Sequence, residues 1–350
     1  MEYLPTHFSM RRFFDATMKR NKLFTGLSVI AVIILVWALL PKSPDTDYAD
    51  EGEPRTRPAT QLKIGYVTIA GALPLFVAEK YGYFREAGFE TELVRFKSSN
   101  EIAIAAATNK IDLVGICATN AVLDAAVASS TRFGAFLLNG YTKPSETEQA
   151  TDYLLARKGI TLEQLKGKRI AFFPGSISRV FANLIFPRLG LAVEDVEYIE
   201  MSPPNWISAM ETGVVDAVTA VEPFAQMLRD RGRVDVLVEG YYAQVMPNVP
   251  LSGAWFVAGR LPADAEARIY SAFGRALDLI QSDRERALRA FSDFTKISPD
   301  VYRRIGLNRW RLIEDDEARE SIRRFVAILL ESGELRKAPA SYLWVHRDAP

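Results

Sequence analysis

Ser176 and Ser178 follow Pro174-Gly175, where a short apolar run, Lys168–Phe173, gives way to a helical pattern. At a helix start, free backbone N–H groups and a hydroxyl can hold a sulfonate, carboxylate or phosphate oxygen. The same serines, with Ile177 between them, would also serve as ordinary caps. Glu222 closes the apolar run Ala217–Val221 and precedes Pro223, a residue tolerated at a helix start. Its carboxylate could accept a ligand N–H, hold the hinge, or merely complement the helix dipole. Ala70-Gly71-Ala72-Leu73 opens an earlier helix with small residues that let a ligand approach the backbone. In Lys97-Ser98-Ser99-Asn100, Ser98 offers a hydroxyl, and a solvated cap competes with that role. Cys117-Ala118-Thr119-Asn120 follows the apolar strand Leu113–Ile116, at its carboxyl end. With apolar neighbours and no histidine near in sequence, Cys117 reads as a wall residue rather than a reactive thiol. Trp206, Phe224, Tyr241 and Tyr242 are expected to fill the core, as such aromatics usually do. Trp255, beside a predicted chain crossing, is the one assigned to a ligand. Arg179 and Lys97 could pair an anion, although charges at helix starts are more often solvated.

What is missing excludes as much. The only histidines, His7 and His346, stand near the two ends, so none lies between them to act as general base, metal ligand or phosphoryl carrier. One cysteine excludes an internal disulfide and a cysteine-based zinc cluster. No catalytic residues, metal site or cofactor are expected. Lys plus Arg equals Asp plus Glu at 43 each, so no global charge points to nucleic acid. With 49% hydrophobic and 25% charged residues the chain is globular in composition, and 350 residues exceed what one core usually holds.

Two stretches look alike. Leu62–Val67 and Lys168–Phe173 are short apolar strands, each followed by glycine and a helical pattern, in Leu73–Tyr81 and Ser178–Leu189. Residues 100–114 can be laid against 204–218, both describing a helix, a polar turn and a buried strand opening at Asp112 or Asp216. The nearly equal spacing predicts a duplicated βαβ lobe of about a hundred residues. Such sheets bind ligands where the carboxyl ends of their strands meet the loops. The β-prone stretches Tyr153–Ala156 and Ala254–Ala258 flank the second copy, so the chain is expected to leave lobe one and return to it. Helical patterns at 263–282, 284–295 and 315–332, with Asp283 and Asp315-Asp316 as caps, are placed on lobe one.

From Leu23 to Leu40 the chain carries no charge, and as a helix this run would be roughly 27 Å long. Arg11, Arg12, Lys19, Arg20 and Lys22 precede it, so the positive-inside bias puts the N-terminus in the cytoplasm. Ala38-Leu39-Leu40-Pro41 lacks the A-x-A pattern of a cleaved signal, which favours a retained anchor. Prolines and charges in 41–61 describe a solvated tether.

The order of motifs resembles the substrate-binding proteins of ABC importers for nitrate, sulfonate and taurine. It is carried by Ile64-Gly65-Tyr66 through Phe84 to Gly88, Asn109-Lys110-Ile111-Asp112 with Gly213-Val214-Val215-Asp216, Leu165–Ala171 with Pro174-Gly175-Ser176, Glu222-Pro223-Phe224 and Ile297-Ser298-Pro299. Asn109 stands where the first turn usually has glycine, and asparagine tolerates the left-handed conformation. The resemblance implies an α/β, type II periplasmic-binding-protein-like fold with two lobes, each a mostly parallel sheet flanked by helices and preceded by the transmembrane helix. The expected layout is a cytoplasmic basic tail 1–22, an anchor 23–40, a linker 41–61, lobe one at 62–150, lobe two at 151–254 and a return to lobe one at 255–350. A non-enzymatic receptor for a small organic solute, working with an ABC permease and ATPase, is the expected function. It would be held at the inner membrane by a single pass, with its soluble part in the periplasm or outside the cell. Sulfonate, carboxylate and heterocyclic ligands stay open. The alternatives are a pyrimidine-synthase-like enzyme on the same scaffold, which would need an active-site histidine where this chain, between His7 and His346, has none, and a membrane-tethered sensor.

Overall fold

Strand β1 (Thr60–Tyr66) lies parallel to β2 (Phe89–Arg95) along its whole length and to β3 (Leu113–Ala118) at Ile64 and Gly65. Strand β4 (Phe133–Gly140) ends the first passage of the chain through this sheet. A second sheet is then built from β5 (Asp152–Arg157), β6 (Arg169–Phe172), β7 (Glu197–Glu200), β8 (Ala217–Val221) and β9 (Val234–Glu239). The chain returns to the first sheet with β10 (Ser252–Val257) and β11 (Arg309–Leu312). The strand orders are β11-β4-β10-β3-β1-β2 and β7-β6-β8-β5-β9. This computed structural model describes residues 59–338 apart from 130, 141–148, 243–249, 263 and 315, all within one unit of the chain, 57–350. The expected anchor 23–40, its basic tail 1–22 and nearly all of the linker 41–61 lie outside the described residues. Among the described residues, no helix is long and apolar enough to cross a membrane.

The two sheets repeat one plan. Ile64 pairs with Leu113 and Ile170 with Ala217, the spacing on which the two sequence stretches were aligned. Asp112 accepts a hydrogen bond from the Lys63 backbone N–H at 3.0 Å, and Asp216 accepts one from Arg169 at the same distance. A left-handed residue, Asn109 in one copy and Gly213 in the other, turns the chain from helix to strand. Each aspartate thus fastens the start of one strand to its parallel neighbour, satisfying an N–H at the sheet end.

The sheets are mixed, not mostly parallel as the sequence suggests. β10 runs antiparallel to both β3 and β4, and β5 runs antiparallel to both β8 and β9. These are the strands laid down as the chain crosses between sheets, and they fill equivalent slots. β10 also begins earlier than the boundary expected at 254/255: Ser252 and Gly253 already pair with Asn139 and Leu138. Neither residue carries an apolar signal, so the strand was legible only from Ala254 onward.

The C-terminal helix Ala265–Ser282 packs against the first sheet and the helix Leu73–Lys80, and Arg284–Thr295 packs on that same helix. Phe273 meets Phe84 and Phe136 edge-on, while Phe291 stacks on Phe76. Asp283 caps the second of these helices, accepting from the Arg286 N–H at 2.9 Å. The crossings are packed together as well. Asp152 accepts the Tyr242 N–H through its carboxylate and the Gly240 N–H through its carbonyl. A Cβ on Gly306 would lie 2.4 Å from the Gln149 carbonyl oxygen, so only glycine lets the chain before β11 pass this close to the first crossing.

Asp216 also pairs with the side chains of Arg169 and Arg157. Burial opposes its ionisation, but the Arg169 hydrogen bonds outweigh that and hold the carboxyl below the ordinary aspartate range. Replacing it, Asp216→Ala, is expected to cost about 1–3 kcal/mol, seen as a lower thermal midpoint. Because the folded-state pKa is depressed, the wild type's advantage is complete above the ordinary aspartate pKa. It shrinks as the pH falls further, which melting curves of both proteins from pH 6 down to pH 3 will show.

Candidate functional site

A cavity with an empty volume of about 480 Å³, its open mouth included, lies where the two sheets direct their strand ends. Its first wall comes from Val67 and Ile69, which follow β1, from Ile116, Cys117 and Ala118 at the end of β3, and from Ser99 at the next helix start. The opposite wall is Phe173 just past β6, Val221 at the end of β8, and one face of the helix Ser176–Ile185. That face carries Ile177, Ser178 and, a turn later, Phe181, at the spacing of helical neighbours. Tyr242 and the pair Leu251-Ser252 come from the second crossing. β10 is antiparallel, so its beginning falls where the parallel strands end, which brings Ser252 to the cavity.

The polar groups here are hydroxyls and one thiol. Ser99 Oγ accepts from the Ala118 N–H at 3.0 Å, and the Cys117 thiol donates to the Ser99 carbonyl at 3.2 Å. Ser252 Oγ accepts from Asn139 Nδ2 at 2.7 Å. Ser178 Oγ is buried and in hydrogen-bonding geometry with nothing, although the phenols of Tyr198 and Tyr242 lie near enough to feel it. Burial pushes the Cys117 thiol and the Tyr242 phenol each up to about 12, against smaller opposing effects of their hydrogen bonds. Both are neutral at physiological pH.

Of the residues singled out in the sequence, Cys117, Ala118, Ile177 and Ser178 line this cavity. The others have different neighbours. Ala70, Gly71 and Ala72 form a buried 3-10 turn leading into the helix Leu73–Lys80, with Leu73 fully buried. Gly71 is small because Asn139 packs against it: a Cβ there would lie 2.8 Å from Asn139 Nδ2. Ser98 is a helix cap, accepting from the Glu101 N–H. Its neighbour Ser99 faces the cavity, one position from the residue chosen. Thr119 donates to the Pro250 carbonyl at 2.6 Å. Ser176 opens its helix, but its side chain lies outside what is described.

Glu222 and Trp255 are core residues. The Glu222 carboxylate accepts from the Gln226 N–H and from Arg229 Nη2, each at 2.9 Å, and so anchors the helix Phe224–Asp230. Burial, tempered by Arg229, pushes its carboxyl up to about 8. Trp255 is fully buried in β10 between β3 and β4, away from the cavity. Tyr242, expected in the core, is the aromatic from that group that reaches the cavity wall. The rule that ligands meet strand carboxyl ends, applied position by position, would have found Val67, Ile116, Phe173 and Val221.

Contacts beside the cavity join its two sides. The Ala70 N–H donates to the Glu222 carbonyl at 3.1 Å. Arg304 pairs with Asp230 at 2.7 Å, linking the segment before β11 to the end of the helix Phe224–Asp230.

Residues 55–240 match the NMT1-like family. No curated protein matches the chain. Among solved structures, the alkanesulfonate-binding protein SsuA from Xanthomonas axonopodis pv. citri, bound to MOPS, superposes with a TM-score of 0.65 at 19% identity, covering 83% of this chain and 99% of that one. The periplasmic aliphatic sulphonate binding protein SsuA from Escherichia coli gives 0.61 at 17% identity, with 80% and 95% covered. The periplasmic nitrate-binding protein NrtA from Synechocystis PCC 6803 gives 0.60 at 13% identity, with 81% and 83% covered. At these identities the likeness is one of fold: an α/β, two-lobe, periplasmic-binding-protein-like architecture.

Glu222 supplies a test of its structural role. Its folded-state pKa is raised, so its contribution to stability is complete below the ordinary glutamate pKa and is lost as the pH rises through about 8. Glu222→Gln, which cannot ionise, is expected to flatten the fall in thermal midpoint between pH 5 and pH 8.5, leaving the smaller slope due to Asp152, itself pushed up to about 7 by burial.

Proposed function

Because this chain belongs to the NMT1-like family, we propose that it is the extracytoplasmic solute-binding component of an ABC importer. It takes a small organic molecule between its lobes, closes about the two crossings and presents the closed form to a permease with its ATPase. The observation that carries this reading is a cavity walled by both sheets at their strand ends, where α/β proteins bind ligands. The binding residues are Cys117, Ala118, Ile177 and Ser178, joined by Ser99, Tyr242 and Ser252. Glu222 positions the helix beside the site, and Trp255 fills the core beneath it. The segment 23–40 would anchor the protein in the inner membrane, with the two lobes on the periplasmic or outer side.

Closure follows from differential affinity. Only when the lobes are together does a solute touch Ile116 on one side and Phe181 on the other, so binding favours that state. The Ala70–Glu222 hydrogen bond and the Arg304–Asp230 pair belong to the same state. The hinge lies in the crossings, where Asp152 ties the start of β5 to Tyr242.

A solute screen read by thermal shift should yield compounds that raise the melting midpoint and, in small-angle scattering, reduce the radius of gyration. Ile177→Trp, which projects a large side chain from a half-buried position into the cavity, is expected to weaken such compounds at least about tenfold while leaving the midpoint of the free protein nearly unchanged. Stabilisation that survives Ile177→Trp, or binding without compaction, would refute the inter-lobe site.

A further inference from the structure

We propose that the solute is uncharged, with an apolar, ring-sized body and one or two hydrogen-bond acceptors. This rests on the solute-receptor reading above and narrows the class of molecule that the same cavity takes.

Among the described residues, the lining holds no lysine, arginine, histidine, aspartate or glutamate. Ten of these fourteen residues are apolar, and the rest are Ser99, Ser178, Ser252 and Tyr242. The cations that could have met an anion are held elsewhere. Arg179, next to Ser178 in sequence, lies over the Tyr198 ring, 4.1 Å from its centre. Arg229 is bound to Glu222 and stacked 4.3 Å above Tyr153. Lys97 is exposed and outside the lining. An anion entering the cavity would give up its hydration and find hydroxyls and the partial positive charges of the helix starts at Ser99, Thr119 and Ser176, but no full positive charge among the described lining residues. A cation would find no carboxylate on the wall.

The hydroxyls set the complementary chemistry. Ser99 Oγ and Ser252 Oγ each already accept one hydrogen bond from the protein, so their own protons are left to donate. Ser178 Oγ is buried on the wall beside the phenols of Tyr198 and Tyr242. Hydroxyl donors along an apolar cavity suit a carbonyl oxygen or ring nitrogen on a flat hydrophobic frame. The rings of Phe173 and Phe181 on the wall give that frame something to pack against. The cationic and phenolic groups nearby do not alter this, because the thiol and the phenol on the wall stay protonated at neutral pH.

The test holds the ring constant and varies the charge. 2-Naphthamide, 2-naphthoate and naphthalene-2-sulfonate are titrated calorimetrically into the full chain at pH 7.5. The expected result is that the amide binds at least about tenfold more tightly than either anion. Ile177→Lys, which supplies the missing cation, should reverse that order. Tighter binding of naphthoate or the sulfonate by the wild type would overturn the inference and leave the receptor reading intact. So would an unchanged order in folded Ile177→Lys. Failure of all three to bind would also overturn it, because a ring-sized apolar cavity with free donors must accept the amide. The receptor reading would then still stand or fall separately on compaction with compounds from the screen.

Discussion

β10 lies between β3 and β4 and runs against both, and β5 takes the same slot between β8 and β9. That constraint organises the molecule. A strand antiparallel to its neighbours must start where they finish, so the chain has to enter each sheet from the side on which the parallel strands end. β4 and β9 finish on that side too: Asn139 and Tyr153 mark it by pairing with Ser252 and Glu239. Both crossings therefore run from one set of strand ends to the other. The described ends of the crossings and the cavity therefore share a location, with Tyr242 and Ser252 on the cavity wall.

The burial of ionisable groups follows the same geometry. Glu222 and Asp152 stand at the adjoining ends of β8 and β5 and are removed from water, which raises both carboxyl pKa values. Each is committed to the protein, Glu222 to Gln226 and Arg229 and Asp152 to Tyr242. Burying a charge is tolerable only with such partners. None of Glu222, Arg229 and Asp152 is among the described residues of the cavity wall. From Glu222 through Arg229 and Gln226 the polar network continues to Asp230, which Arg304 reaches from the segment before β11. The apolar cavity wall is thus flanked by a network of charged and amide side chains.

The duplicated plan, the turn residues and the positions of most strands could be read from local pattern. Asp112 and Asp216 were visible as strand openers, and the partners they fasten lie at the spacing the sequence showed. The candidate site was harder to see. Glu222 has the right position at a strand end, yet its carboxylate turns to the helix that follows it. Ser98 and Ser99 are adjacent and chemically identical, and only helix phase decides which one caps and which one faces the cavity. Trp255 and Tyr242 exchanged their expected places for a related reason: a strand between two others is buried on both faces, while the residues leading into it stand at the opening.

Periodicity, turn chemistry and the absence of histidine between the chain ends are properties of the sequence itself. They determined an α/β chain with two similar halves and made histidine-based catalysis improbable. Short-range forces set these features, since a helix or a turn is chosen by residues a few positions apart. The insertion of β5 and β10, the uncharged cavity wall and the diversion of Arg179 and Arg229 to protein partners were decided by tertiary structure. They depend on which strand ends meet across a hundred residues of chain, and no local pattern of residues records that meeting.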